Sequence, residues 1–467
     1  MMKLIISLTV SLLSIMGLYS QEIVGTWHGA IKVQGIELEI VFHIEKQDSG
    51  YTSLMDSPTQ GAFGIATTKT TFKSEQLEIV IANLGAFYQG KLKNDTITGT
   101  FNQGGMPFPL ILSRTEKKVQ LRPQEPKAPY PYDVEDIVFT NTKEKIDLAG
   151  TLTIPKGKKK YPAVILIAGS GPNDRDETIF NHKPFWILAD YLTRNGIAVL
   201  RYDKRGTGKS KGEYFTATTQ HFAEDAEEAF NYLKTRKEID PSNIGLIGHS
   251  EGGVIAPMIA AQNKEIKFIV LMAGLGVTGT ELVLTQHEHA FKNSSLTKEG
   301  MESLTQALAK VYSSVTGWTE YVGTNQERNQ LKEELSNLWL KLPKEMQGDG
   351  QKELFIEKTT ANITAPWFRH FLKTNPLGYL QKLTIPVLAI NGENDTQVEY
   401  KINLNAIDAA LKKGNNKHYT IKSYPRLNHL FQESTTGELD EYGKIEQTIS
   451  PEVLSDITKW IKQQVKP

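Results

Sequence analysis

The chain has 467 residues, with 53 basic and 53 acidic side chains and no cysteine. At about 150 residues per domain this is room for roughly three units, and 39% hydrophobic with 23% charged residues is the make-up of a globular protein with a sizeable core. The zero charge balance excludes a general electrostatic case for nucleic acid or an anionic membrane surface as partner. The missing cysteines exclude a disulfide framework, a thiolate metal site, a thiol nucleophile and a lipid-anchored cysteine, so covalent catalysis falls to Ser, Thr, Lys or a carboxylate.

Residues 1–20 read as a secretory signal. Lys3 is followed by the uncharged apolar run Leu4–Leu18, and Ser20-Gln21-Glu22 ends it too early for a membrane span. The expectation is export to the periplasm or the outside, a mature chain starting near Gln21, and no stable membrane insertion afterwards.

Residues 21–115 have a β pattern. Gly25–Val33, Glu37–Glu45, Leu77–Ala82, Phe87–Lys93 and Thr96–Phe101 are short segments that alternate apolar and polar residues, with turn signals such as Asp48-Ser49-Gly50 between them. This predicts an antiparallel meander closed into a small barrel or sandwich. Gly25-Thr26-Trp27 resembles the opening of lipocalin-like barrels. His28 and His43 lie on single strands as surface or edge residues, and the unit is expected to be an accessory domain. Pro123, Pro126, Pro129 and Pro131 then mark residues 116–133 as a stiff, proline-rich linker.

From residue 134 to 467 strands alternate with helices. Val134–Thr140 and Ile146–Ile154 read as an antiparallel pair, and Ala163–Ala168 as a strand buried on both faces. Helix Phe185–Arg194, strand Ile197–Tyr202, helix Phe222–Thr235, strand Asn243–Gly248, helix Gly252–Gln262 and strand Phe268–Met272 follow. Strand Pro386–Asn391, helix Lys401–Lys412, strand His418–Ser423 and helix Pro451–Gln464 complete the series. This order predicts an α/β fold, a mainly parallel sheet flanked by helices.

The chemistry centres on Gly248-His249-Ser250-Glu251-Gly252-Gly253, a G-x-S-x-G between a strand and a helix. Such a turn holds the Ser250 hydroxyl clear of the sheet, needs glycines where side chains would collide, and offers the Glu251 amide to an oxyanion. A serine hydroxyl needs a base, and the base an orienting acid. The loops after the late strands supply Asp395, with Glu393 as its rival, and His429. His249 is expected to face away from the nucleophile, His418 starts a strand, and His287 and His289 diverge on a helix without metal-ligand spacing. The second oxyanion amide is expected from Gly169-Ser170-Gly171, with Ser170 best placed, and Asp174-Arg175-Asp176 is expected to brace that loop.

Ile167–Glu177, Arg201–Ser210 and Gly248–Gly253 together resemble a bacterial group of α/β-hydrolase serine carboxylesterases related to serine aminopeptidase-like and dienelactone hydrolase-like proteins. The resemblance implies hydrolysis of small carboxylic esters through an acyl-enzyme, with Ser250, Asp395 and His429 at the triad positions. Ala168 departs from the histidine that many lipases carry before the oxyanion glycine. The alternative is a serine exopeptidase with the same triad, whose substrate amine would need an acid such as Glu251 or Asp174. A non-enzymatic reading is a scaffold that binds through the β-unit.

Residues of about 277–380 exceed what the fold needs and carry helical patterns at Leu304–Tyr312, Arg328–Leu340 and Phe368–Leu372. They also hold Trp318, Trp339 and Trp367, and they predict an inserted helical cap lined partly by aromatics that contact the acyl or alcohol group. Gly274-Leu275-Gly276-Val277-Thr278-Gly279 spells a dinucleotide fingerprint but follows a middle strand, and Gly206–Ser210 mimics a phosphate loop without its first glycine. No cofactor and no metal set are expected, and the partner is a small-molecule ester.

Overall fold

The structure is a computed structural model and describes residues 23–465 apart from 34–35, 49, 61, 104–105, 115–121, 293, 319–322, 345–346 and 348–350. The expected signal at residues 1–20 and the start of the proline segment lie outside the described residues. The chain divides into two compact units, with the split between residues 119 and 120.

The first unit is all antiparallel. Its strands are β1 (Gly25–Val33), β2 (Ile36–Gln47), β3 (Gly50–Ser57), β4 (Ala62–Ala66), β5 (Lys69–Lys73), β6 (Gln76–Ile81), β7 (Ala86–Lys93), β8 (Thr96–Gln103) and β9 (Met106–Ser113). They pair in the order β2-β1-β9-β8-β7-β6-β5-β3, and β3 returns to β2, so the sheet closes on itself; β4 also pairs with β3. Closure follows from alternation. Along β7, Ala86, Tyr88, Gly90 and Leu92 point inward while Phe87, Gln89, Lys91 and Lys93 face water. Trp27, Phe42, Tyr88 and Phe101 fill the interior at 1% exposure or less. Both polar ends of the buried aromatics are satisfied: Trp27 Nε1 donates to the Ile23 carbonyl at 2.7 Å, and the Tyr88 hydroxyl lies 3.2 Å from the Ile97 carbonyl. His43 pairs with Asp56 at 2.7 Å and stays partly exposed.

In the second unit β10 (Asp133–Asn141) and β11 (Ile146–Ile154) form a hairpin. Then come β12 (Tyr161–Ile167), α1 (Pro184–Arg194), β13 (Ala198–Tyr202), α2 (Thr219–Thr235), β14 (Ile239–His249), α3 (Gly252–Ala260) and β15 (Ile269–Met272). Six helices follow: α4 (Gly279–Phe291), α5 (Lys298–Gly317), α6 (Asn325–Trp339), α7 (Lys352–Thr364), α8 (Pro366–Lys373) and α9 (Leu377–Leu380). The sheet resumes with β16 (Val387–Gly392), α10 (Tyr400–Lys413), β17 (Tyr419–Tyr424), α11 (Leu439–Tyr442) and α12 (Pro451–Gln464).

The strand order is β10-β11-β13-β12-β14-β15-β16-β17, with β10 and β11 antiparallel and every pairing from β13 to β17 parallel. Each central strand is apolar throughout because it serves two cores. On β12, Ala163, Ile165 and Ile167 pack with Phe222, Phe230 and Leu233 of α2 and with α3. Val164 and Leu166 face the other way, toward Phe185, Leu188 and Leu192 of α1 and Val453, Ile457 and Ile461 of α12. The helices α4 to α9 interrupt the sheet between β15 and β16 as a cap. Thr278 and Thr324 start α4 and α6 with capping boxes closed by Glu281 and Glu327. Among the described residues no helix is long and apolar enough to cross a membrane.

Candidate active site

Ser250 sits between β14 and α3 at φ +52°, in the left-handed region that a side chain disfavours. The turn is held because the Ser250 amide donates to the Met272 carbonyl at 2.9 Å and the Gly253 amide to the Ser250 carbonyl at 2.8 Å. A Cβ on Gly248 would overlap the Gly252 carbonyl, and one on Gly252 would overlap the Ile167 carbonyl, so neither position admits a larger residue. The amides of Glu251 and Ser170 have no acceptor in the protein among the described residues. They are the two donors the sequence singled out for a developing negative charge.

Asp395 follows β16 and His429 follows β17. The Asp395 carboxylate lies 2.7 Å from His429 Nδ1 through Oδ2, while Oδ1 accepts the amides of Gln397 and Val398, each at 2.8 Å. The Asp395 side chain is fully buried and that of His429 nearly so. Glu393, the rival acid, turns aside and accepts the Ser423 hydroxyl at 2.7 Å. Ser250, His429, Gly169 and Ser170 line one cavity of about 500 Å³. Among the described residues no hydrogen bond joins the Ser250 hydroxyl to His429; unliganded sites of this sort commonly tighten that contact only around substrate.

The cap closes the cavity with Leu282, Val283 and His287 of α4, Tyr312 of α5, Ile363 of α7, and Trp367, Phe368 and Phe371 of α8. Trp367 stacks on Phe371 with ring centroids 5.1 Å apart. Of the three tryptophans that the cap holds, Trp367 lines the cavity and the other two do not. Trp318 packs beneath the Arg369 guanidinium and Trp339 against Phe355, where they hold the cap together. His287 and His289 diverge as expected, toward Tyr312 at 2.6 Å and Glu438 at 2.8 Å. Burial pushes His287 below the ordinary histidine range, which keeps it neutral.

Two sequence expectations are corrected. Glu251 has no room for a substrate amine. Its carboxylate is 0% exposed and accepts from Lys204 Nζ at 3.2 Å, Thr219 Oγ1 at 2.8 Å and Trp367 Nε1 at 2.7 Å. His249 does not face away from the site. Its ring centroid lies 4.7 Å from that of His429, and it contacts Glu177 and the His429 carbonyl. A G-x-S-x-G pattern fixes the serine's position but says nothing about which way the preceding side chain turns, so no local signal carried this.

The charged residues of the other two motifs are braces. Arg175 grips both oxygens of Asp203 at 3.0 and 2.8 Å, Asp174 caps its own loop through the Thr178 amide and hydroxyl, and Arg201 meets Asp176. Arg205 holds Asp225, and Lys204 donates to the Gly169 carbonyl at 2.5 Å as well as to Glu251. The Gly274–Gly279 lookalike is a packing turn: the Gly276 amide donates to Asn403 Oδ1 at 2.9 Å, and Gly279 lies against the Phe371 carbonyl. Among the described residues no group of three or more His, Asp or Glu side chains gathers as metal ligands would.

Residues 185–434 match the model of the family described as serine aminopeptidase, S33. Esterase EstD of Thermotoga maritima is 30% identical over 341 residues, which span 71% of this chain and 70% of that protein. The uncharacterized protein YfhR of Escherichia coli strain K12 is 31% identical over 93 residues, covering 20% of this chain and 32% of its own. Among solved structures, the Pyrococcus furiosus esterase Pf2001 is similar at 18% identity and a TM-score of 0.41, over 71% of this chain and 93% of its own. The α/β hydrolase GrgF from Penicillium is similar at 18% identity and a TM-score of 0.43, over 71% and 99%. With more than half of its length matched by one family and an esterase aligned over seven-tenths of it, the chain belongs to the serine aminopeptidase S33 family of α/β-hydrolases.

Proposed function

We propose that the protein is an exported serine hydrolase that cleaves small, uncharged carboxylic esters through an acyl-enzyme. The observation that carries this reading is the coupling of Asp395 to His429 at 2.7 Å beside a cavity that Ser250 shares with His429 and with Ser170, whose amide, like that of Glu251 next to Ser250, has no acceptor among the described residues. Ser250 attacks the ester carbonyl carbon while His429 Nε2 takes its proton, and Asp395 steadies the imidazolium that forms. The carbonyl oxygen becomes an oxyanion and takes hydrogen bonds from the Glu251 and Ser170 amides. The carbon–oxygen bond to the alcohol then breaks, and His429 returns the proton to the departing alkoxide. Water repeats the sequence on the acyl-enzyme, releasing the acid and restoring Ser250.

The cavity's chemistry favours an ester over a free peptide. An aminopeptidase substrate brings an ammonium group that needs a carboxylate. Among the described residues lining the cavity the only carboxylate is that of Glu177, which is 4% exposed and already bound to His249 and the Gly169 amide. Beyond the Glu177–His249 pair, the wall presents Trp367, Phe368 and Phe371, suited to an apolar or aromatic substituent.

The test offers p-nitrophenyl acetate and butyrate beside aminoacyl- and prolyl-nitroanilides. Ester turnover should dominate, and Ser250→Ala should lose about 10⁶-fold in kcat. Cleavage of the anilides alone would instead assign an exopeptidase, and ester turnover persisting in Ser250→Ala would refute the mechanism. Export rests on Lys3 and the apolar run Leu4–Leu18. N-terminal sequencing of the mature protein should begin near Gln21; a cytoplasmic protein that retains the first twenty residues would overturn that part.

A further inference from the structure

His249 is 5% exposed and Glu177 is 4% exposed, and neither takes part in the chemistry above. Both ring nitrogens of His249 face groups that accept hydrogen bonds. Nδ1 lies 2.9 Å from Oε1 of Glu177, and Nε2 lies 3.0 Å from the backbone carbonyl oxygen of His429. A carbonyl has no proton to give, so Nε2 must carry one. The same Glu177 oxygen already accepts the Gly169 amide at 2.6 Å and so acts as an acceptor toward the ring too, which puts a proton on Nδ1 as well. Two protons on one imidazole make it an imidazolium.

We propose that His249 and Glu177 form a buried, charged brace behind the active centre, in which the His249 imidazolium positions the His429 loop and the Glu177 carboxylate positions the oxyanion loop. The proposal rests on the reading of Ser250 and His429 as nucleophile and base. The pair joins three segments whose registration decides turnover. His249 immediately precedes Ser250, Glu177 holds the amide of Gly169 next to Ser170, and His249 Nε2 holds the backbone of His429. A misplacement of about 1 Å among such groups costs about 100-fold in rate.

The two imidazole centroids are 4.7 Å apart, so the His249 cation stands directly beside the His429 ring. The groups that act on His249 are Glu177, the His429 carbonyl and ring, and Asp395 across the site. Burial pushes the His249 proton off, but the charge and hydrogen bond of Glu177, the His429 carbonyl and Asp395 outweigh it and raise His249 above the ordinary histidine range. When His249 does lose a proton at high pH, either the Glu177 contact or the His429 contact loses its donor, and the brace opens.

The proton count can be read without substrate. In ¹⁵N-histidine-labelled protein, His249, assigned by its absence from His249→Asn, should show two protonated ring nitrogens at neutral pH, and Glu177→Gln should abolish that signature. A wild-type His249 with one bare nitrogen at neutral pH would overturn the proposal. With p-nitrophenyl butyrate, Glu177→Gln should lose about 100-fold in kcat with KM little changed. The alkaline limb of its pH profile should move to lower pH, and Glu177→Asp should restore part of the lost kcat and of the limb. A Glu177→Gln profile that superimposes on wild type would also overturn the proposal. Because Gln matches Glu in size, this variant keeps the test decisive even if His249→Asn does not fold. If no ester were turned over at all, the ester reading would fail while the spectrum still decided the brace.

Discussion

Ser250 pays a conformational penalty for its position. At φ +52° a residue with a Cβ costs about 1–2 kcal/mol relative to one without. Two inactive variants therefore separate strain from chemistry. Ser250→Gly should unfold at higher denaturant than Ser250→Ala, by about 1 kcal/mol, because only glycine relaxes the turn; equal midpoints would show that the elbow carries no such strain. Asp395 and Glu393, two residues apart, both follow the Val387–Gly392 strand. Asp395 fixes the His429 ring through a short bond and two backbone amides of its own, whereas Glu393 is engaged by Ser423. Asp395→Asn should lower kcat by about 10⁴-fold by imposing the wrong tautomer on His429. Glu393→Gln should leave kcat within a few-fold, and the reverse ranking in steady-state kinetics would reassign the acid.

Among the elements, α8 links the cap to the turn that carries Ser250. Trp367 Nε1 donates at 2.7 Å to the Glu251 carboxylate, which is wholly removed from water and balanced by Lys204. Hydrogen bonds to buried charges contribute about 1.5–3 kcal/mol, and a buried acceptor left short of a partner is costly. Trp367→Phe keeps an aromatic wall but deletes the donor. Denaturant melts should record a loss of about 2 kcal/mol, and KM for p-nitrophenyl butyrate should rise as α8 loosens over the cavity. Unchanged stability would mean that the cap is not anchored there. The sequence predicted this helix at Phe368–Leu372 and an aromatic lining, but not which tryptophan lines the site. Trp318, Trp339 and Trp367 all lie in helix-forming stretches, and only the packing of α5, α6 and α8 against one another sorts core from wall.

Across the second unit, a titratable group far from the chemistry sets an acid limit. His182 is fully buried, its Nδ1 2.8 Å from the Thr448 hydroxyl and its Nε2 2.9 Å from the Tyr442 carbonyl, an arrangement that suits the neutral ring. Burial first, and the nearby Arg122 charge second, lower it from 6.5 to about 4. The unfolded chain therefore binds a proton between those values that the folded one does not. The contribution of His182, about 3 kcal/mol, is fully present above pH 6.5, is lost progressively as pH falls toward 4, and changes no further below. Denaturant melts from pH 7 to 4 should record this slope, and His182→Gln should flatten it. Arg122 donates to the carbonyls of Asn181, Phe180, Ile445 and Gly443, so the described end of the proline segment is fastened to the catalytic unit rather than hanging as a free spacer.

What the sequence determined by itself is whatever short-range physics dictates. The period-two alternation of β7, the double-faced apolar runs of β12 and β14, and the glycines that admit the turn at Ser250 are properties of a few consecutive residues, and the elements formed where those patterns lie. Asp395 and His429 were legible because each ends a recognisable strand, so chain order stood in for distance. Side-chain partners separated by tens or hundreds of residues were not legible. Glu251 read as a free acid until Lys204, Thr219 and Trp367 closed around it. His249 read as an outward residue until Glu177, 72 positions earlier, and His429, 180 positions later, met its two nitrogens. A buried charge takes its state from the groups that replace water around it, and only the tertiary structure brings those groups together.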